Sequence, residues 1–247
     1  MDKALFIAMS GAKHNTLAQA NRANNLANLS TTGFRADFEQ SRSMGVYYGD
    51  GQPTRAYAMT ESPRANFMPG SMITTNEPLD VAIQGQGFFA VQAPDGSEAY
   101  TRAGDFLVDE RGMLRTANGL PVLGTGGPIN IPENKKVQIG TDGTISIISE
   151  DQGPEGMVQA GQLKLVNPDV QNLEKGDDGL FRQRNGLPAL QDAAVTLRSG
   201  MLEGSNVNAV EEFTQILSLS RQYEMQVKVM KTAEENSASS AQLLQMS

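Results

Sequence analysis

Apolar and polar positions follow two different rhythms along this 247-residue chain. Toward both ends the apolar residues recur every three or four positions, the spacing of one face of a helix. Between roughly Thr75 and Leu202 they come in short runs broken by turns. At alternating steps of four and three, the N-terminal segment gives Leu5, Met9, Ala12, Thr16, Gln19, Ala23 and Leu26, apolar at five of seven positions. The pattern ends at Ser30-Thr31-Thr32-Gly33, where Gly33 is the residue expected just past a helix C-terminus. The C-terminal helix is predicted to start at Asn208 with Glu211 three residues on, the spacing of a capping box. Its seam runs Phe213, Ile216, Ser220, Tyr223, Val227, Met230, Glu234, Ser237, Ala241 and Leu244, apolar at seven of ten positions.

The middle carries the punctuation of antiparallel β structure. Leu79–Ile83 alternates, Gly87–Val91 is a buried-type run, and Asp95-Gly96 supplies a hairpin turn before Tyr100-Thr101. Strand runs continue at Phe106–Val108, Met113–Arg115, Pro121–Leu123, Val137–Ile139, Thr144–Ile148 and Leu163–Val166, with turn signals at Asn118-Gly119, Asp142-Gly143 and Asp178-Gly179. These patterns predict a mainly β central domain, antiparallel, irregular and barrel- or sandwich-like, over 75–202. The paired N- and C-terminal α-helices, 1–33 and 203–247, would form a discontinuous coiled-coil domain. An extended connector over 34–74, polar and turn-rich around Tyr47-Tyr48 and Gly49–Pro53, would join the two.

Charge and composition narrow the function. The net charge is −8 with a pI near 4.8, and the longest basic run is Lys135-Lys136, so a phosphate-binding surface is not expected and nucleic acid is excluded as a partner. No stretch approaches the roughly 20 apolar residues that span a bilayer, so membrane insertion is excluded too. The opening residues lack a signal-peptide core, so export would proceed without a cleaved signal. Cysteine is absent, which leaves a reducing compartment and passage through a narrow channel equally open. The helical ends are mildly complementary. Residues 2–30 carry Lys3, Lys13 and Arg22 against Asp2, while 208–247 carry Arg221, Lys228 and Lys231 against five Glu. Five apolar seam residues bury too little to offset the entropy of ordering about 26 residues. Both termini are therefore expected to be largely unfolded in the monomer and to become helical when neighbouring copies cover their remaining faces.

The search for chemistry points away from an enzyme. His14 is the only histidine, which excludes a histidine triad or a multi-histidine metal site. Gly85-Gln86-Gly87 matches the start of a dinucleotide fingerprint but leads into a β-type run, so it is read as turn geometry. Asp177-Asp178, bracketed by Gly176 and Gly179, is read as a turn. No catalytic, metal or cofactor-binding residues are assigned, and no cofactor is expected.

Three blocks carry a family resemblance. Arg22-Ala23-Asn24-Asn25-Leu26-Ala27-Asn28-Leu29-Ser30-Thr31-Thr32-Gly33-Phe34-Arg35 resembles the N-terminal signature of the flagellar basal-body rod and hook family. Leu79–Phe89 with Tyr100-Thr101-Arg102-Ala103-Gly104-Asp105-Phe106 resembles its central-domain hallmark. Leu202-Glu203-Gly204-Ser205-Asn206-Val207 and Arg221–Lys228 are similar to its C-terminal signature. The opening Met1-Asp2-Lys3 and the Gln242–Ser247 ending look most like proximal-rod members, with distal-rod and hook-type members second.

The resemblance implies a non-catalytic axial subunit of the rod, crossing the periplasm as part of the drive shaft for motility. Its implied partners are other copies of itself, neighbouring proximal and distal rod proteins, the flagellar type III export apparatus and the rod cap. The residues assigned to assembly are Leu5, Met9, Ala12, Ala23, Asn25, Leu26, Asn28, Phe34, Phe213, Ile216, Tyr223, Val227 and Met230. An alternative from another class is a β-rich extracellular binding module on a coiled-coil stalk.

Overall fold

The computed structural model describes residues 3–38, 41–46, 55–60, 64–132, 136–148 and 157–245. Met1-Asp2, Tyr47-Tyr48, the Gly49–Pro53 turn, Lys135 and Met246-Ser247 lie outside the described residues. The described chain is mostly β, with one long helix near each end. It divides into two compact units, 1–29 with 36–65 and 207–247, and 30–35 with 66–206.

The first unit holds α1 (Lys3–Ala27), α2 (Ala209–Gln245) and four strands: β1 (Asp37–Phe38), β2 (Ser41–Val46), β3 (Arg55–Thr60) and β4 (Arg64–Ala65). β2 and β3 pair as an antiparallel hairpin, and β1 pairs with β4. The Asn208 side chain accepts from the N–H groups of Val210 and Glu211 at 3.1 and 3.4 Å, so it caps α2 as its position predicts. The end of α1 differs from expectation. The helix stops at Ala27 in a turn closed by Asn28 N–H on the Asn24 and Asn25 carbonyls, and Gly33 is not its cap.

The second unit carries sixteen strands in chain order. They are β5 (Met72–Thr74), β6 (Val81–Gln84), β7 (Phe88–Gln92), β8 (Glu98–Thr101), β9 (Phe106–Val108), β10 (Leu114–Thr116), β11 (Leu123–Gly124) and β12 (Gly127–Pro128), followed by β13 (Lys136–Ile139), β14 (Thr144–Ile148), β15 (Met157–Gln162), β16 (Leu165–Val166), β17 (Leu173–Lys175), β18 (Phe181–Gln183), β19 (Thr196–Ser199) and β20 (Met201–Glu203). The largest sheet has the order β16-β7-β8-β18-β17, and β13-β14-β15 forms a second. The remaining strands pair two by two, and none of the described sheets closes on itself into a barrel.

The Asp-Gly and Asn-Gly turns do their expected work. Gly96 takes a φ of 83° between β7 and β8, where Ala93 N–H donates to Ser97 O and Asp95 Oδ1 receives Ser97 N–H. Asp178 sits in the β17–β18 turn and pairs with Arg182 at 2.6 Å, which holds its carboxyl below the ordinary aspartate value.

Burial follows the strand period. β14 alternates, with Ile145 and Ile147 inward, while β7 is enclosed on both faces. Phe89 meets Phe106 edge-on at 5.1 Å within a core that includes Val81, Ile83, Leu114, Ile131, Leu163 and Leu197. Tyr100 is buried with its hydroxyl receiving Ala189 N–H at 2.6 Å; burial pushes its pKa up to about 12.

Gly104 is fixed by close approach, since a Cβ there would overlap the Val81 carbonyl oxygen, whereas Gly126 has open space. Gly104→Ala is expected to destabilise the chain by about 3 kcal/mol or more in urea unfolding, with Gly126→Ala changing it by less than about 0.5 kcal/mol. Equal midpoints for the two variants would show that the strand approach is looser than described.

Candidate assembly interface

The two helices pack antiparallel, because Gly11 lies against Gln226 while Arg22 meets Glu212. On α1 the covered line is Ala8, Ala12, Asn15, Gln19, Arg22 and Leu26. On α2 it is Glu212, Ile216, Leu219, Gln226, Met230 and Ala233, with Tyr223 on the same line but exposed. Both lines step by three and four, yet their residues are largely small or polar. A Cβ on Gly11 would come within 3.0 Å of the Gln226 side chain, so a glycine lets the helices approach there. Beyond Ala233 the α2 residues Glu234–Gln242 are exposed.

Most of the large apolar side chains face the other way, with Leu26, Ile216, Leu219 and Met230 on the covered line the half-buried exceptions. Leu5, Phe6, Met9 and Leu17 on α1 are exposed, as are Val210, Phe213, Leu217, Tyr223, Met225, Val227 and Val229 on α2, with Met9 at 52% and Phe213 at 56%. Exposed apolar groups of this size recur along the described length of both helices. At 3.6 residues per turn, Phe213, Leu217 and Val227 occupy one flank of α2 and Met225 with Val229 another, the two flanks centred roughly 140° apart.

Of the residues assigned to assembly from the sequence, Leu5, Met9, Ala23, Phe213, Tyr223 and Val227 are exposed. Ala12 is buried against the partner helix, and Leu26, Asn28, Ile216 and Met230 are half-buried. Phe34, in the second unit, is half-buried with Lys175 Nζ 4.2 Å from its ring centre. Asn25 is fully enclosed. Its amide donates to Asp37 O at 2.7 Å and to Glu212 Oε1 at 3.1 Å, and its carbonyl receives Asp37 N–H at 2.9 Å. Arg22 Nη1 reaches both Glu212 oxygens at 3.1 and 3.2 Å. One side chain thus ties α1 to both α2 and β1.

Other residues of the signature blocks work inside the β unit. A Cβ on Gly33 would overlap the Arg102–Ala103 backbone, and Gly33 N–H donates to Glu203 O at 2.7 Å. Arg35 Nη2 lies 2.6 Å from Glu203 Oε1, which also receives Gly70 N–H at 2.9 Å. Arg102 Nε stands 2.9 Å from Glu203 Oε2, near enough for an ion pair but not aligned as a hydrogen bond. Its Nη1 and Nη2 donate to Gly87 O and Gly85 O at 2.8 and 2.6 Å. All three side chains are at most 4% exposed. Burial draws the Arg102 guanidinium below its usual pKa, Glu203 opposes that shift and Arg35 adds to it.

Arg35, Arg102, Glu203 and Glu212 carry much of this wiring, and apolar spacing does not single them out. Their one signal is a charged residue set inside an otherwise apolar or turn-forming block. Two clefts, of about 330 and 900 Å³, open on the β unit, and the smaller is lined by the Glu98–Lys164 ion pair and Leu190. Among the described residues no group of three or more His, Asp or Glu side chains is placed to hold a metal ion.

Comparison with known proteins matches residues 82–147 to the family described as flagellar hook protein FlgE/F/G D1 domain, and residues 198–243 to flagellar basal body rod FlgEFG protein C-terminal. Flagellar basal-body rod proteins FlgF of Escherichia coli (strain K12) and Salmonella typhimurium (strain LT2) are 43% and 41% identical to this chain over 253 residues, with 100% of each chain covered. A flagellar basal-body rod protein FlgG, of Buchnera aphidicola subsp. Acyrthosiphon pisum, is 33% identical over 264 residues, covering 95% of this chain and 97% of its own.

Removing the Asn25 amide breaks its two contacts with the Asp37 backbone and takes from Glu212 one of its two donors. Asn25→Ala is expected to lower the stability of the helix pair by roughly 2 kcal/mol, while Asn24→Ala at the adjacent exposed position costs less than about 0.5 kcal/mol. Thermal unfolding followed by far-UV circular dichroism at 222 nm measures the difference.

Proposed function

We propose, for a chain that belongs to the flagellar basal-body rod protein family and is a structural subunit of that rod, that its two terminal helices are the element through which it polymerises. The single observation behind this reading is the division of the helix surfaces. The mutual face is small and polar apart from Leu26, Ile216, Leu219 and Met230, and most of the large apolar residues are left to water. A helix apolar on several sides is stable when several neighbours surround it. In this reading α1 takes one side of α2, and two further copies cover the Phe213 and Met225 flanks. Different surfaces meet at each contact, so the packing is heterologous and extends as a helical array instead of closing into a dimer.

The subunit contributes shape and stiffness, not catalysis. It assembles with other flagellar rod subunits in the basal body. Its greater likeness to FlgF than to FlgG chains supports assigning it, in this proposal, to the proximal part of a rod crossing the periplasm. Export by the flagellar type III apparatus and placement by a rod cap complete the pathway. The terminal helices are marginal in the free subunit and gain their order from neighbours, which holds polymerisation back until subunits meet at the growing end. The terminal segments 1–33 and 203–247 act as the assembly domain in a discontinuous coiled coil.

The exposed flanks provide the test. Phe213→Asp, Met225→Asp and Val227→Asp are each expected to abolish incorporation into rods and motility while shifting the unfolding midpoint of the monomer very little. Motile cells carrying any two of these variants would overturn the assignment. Limited proteolysis of the monomer should remove both helical ends before it cuts the β unit, and uniform resistance would overturn ordering on assembly.

A further inference from the structure

Arg35, Arg102 and Glu203 form a buried group with two positive charges and one negative. Glu203 is fully enclosed, Arg35 and Arg102 nearly so, and Arg35 Nε and Nη1 have no hydrogen-bond partner among the described residues. Four stretches of backbone meet there: 30–35 through Arg35 and Gly33, Gly70 through its N–H, Gly85 and Gly87 through Arg102, and the end of β20 through Glu203. Arg35 and Glu203 are 168 residues apart in sequence. Without the Glu203 carboxylate, two guanidinium groups would be enclosed facing one another. Breaking a buried pair from one side in this way is far more costly than never having built it.

We propose that Glu203 is a keystone that makes closure of the β unit conditional on both terminal segments, so that the unit stays open until residues 30–35 and 201–206 are in place together. A chain that has supplied Arg35 and Arg102 but not yet Glu203 cannot enclose the two arginines. The last strand of the unit, not its large central sheet, then decides when it shuts. The benefit to a subunit that travels unfolded rests on the assembly reading above. The conditional closure itself does not, and it is measured on the monomer alone.

The test is hydrogen exchange on the full-length chain, read at Gly33 and Gly70, which donate to Glu203, and at Ala90, which donates to Lys164 O inside the large sheet. Glu203→Gln is expected to speed exchange roughly a hundredfold or more at all three amides. Arg35→Met, which leaves Arg102 and Glu203 as a neutral pair, should change Ala90 by less than about tenfold. The double variant Glu203→Gln with Arg35→Met should recover at least roughly tenfold of the Ala90 protection lost in Glu203→Gln, because only Arg102 remains and it keeps the Gly85 and Gly87 carbonyls. If Glu203→Gln fails to fold, a double variant that folds supports the proposal in the same way, and one that also fails overturns it. Faster exchange confined to Gly33 and Gly70 would reduce Glu203 to a local tie and overturn the proposal. A double variant no better than Glu203→Gln would overturn the charge argument. Rod incorporation by the Phe213→Asp chain fails or succeeds independently of these rates.

Discussion

One carboxylate enclosed between two guanidinium groups sets the terms on which the β unit can exist. Charges taken out of water lose solvation that a single contact does not restore, so such a group is tolerated only where its geometry is complete. Here it is completed from widely separated parts of the chain: Arg35 ahead of the strands, Arg102 after β8 and Glu203 at the end of β20. An apolar cluster at this place would tolerate several near-native arrangements. The ion group tolerates one, because each of Glu203's close contacts depends on a different segment being in register. Its value lies in uniqueness of the closed form more than in net stability.

The helical unit uses the same device with weaker charges. Asn25 and Glu212 are the buried polar residues of an otherwise small-residue seam, and Arg22 satisfies the second Glu212 oxygen. A buried amide in a helix pair fixes register and orientation at some cost in stability. That cost suits a pair whose mutual face holds Ala8, Gly11, Ala12 and Ala233, since little apolar area is buried to begin with. Specificity within the chain is thus carried by polar contacts, and the capacity for strong association is kept on the outside.

How much of this is legible in the sequence depends on which signal each residue carries. The Asp-Gly and Asn-Gly turns and the alternating run Thr144–Ile148 are legible because turn chemistry and strand period are local. The edge strand Met157–Gln162 and the short β19 and β20 are not, since their residues lack a clean alternation, and β19 and β20 are also held by partners distant in sequence. Gly33 has the sequence context of a helix cap. Its real constraint is the Arg102–Ala103 backbone, which no window around residue 33 contains. For the helices, the spacing rule picks the line of largest side chains and assumes that it faces the partner helix. In this chain Leu5, Met9 and Phe213 lie off the covered line and are exposed, which no spacing rule within one chain can anticipate.

These features combine into a separation of tasks along the chain. Association through α1 and α2 alone would tempt subunits to aggregate wherever they met, because Phe213, Leu217 and Met225 are exposed irrespective of location. Two conditions limit this. On the proposed assembly, the flanks on α2 would form an effective surface only while α1 is seated beside it, and the Asn25–Glu212 contact helps hold that seating. That seating yields modest apolar burial, so a lone pair opens readily and a pair among neighbours does not. On the proposed assembly, affinity would rise steeply with the number of copies already in place, since each neighbour would both cover an apolar flank and hold the seam shut. Growth at the end of an existing array is favoured over nucleation in solution by the same side chains, with no separate switch required.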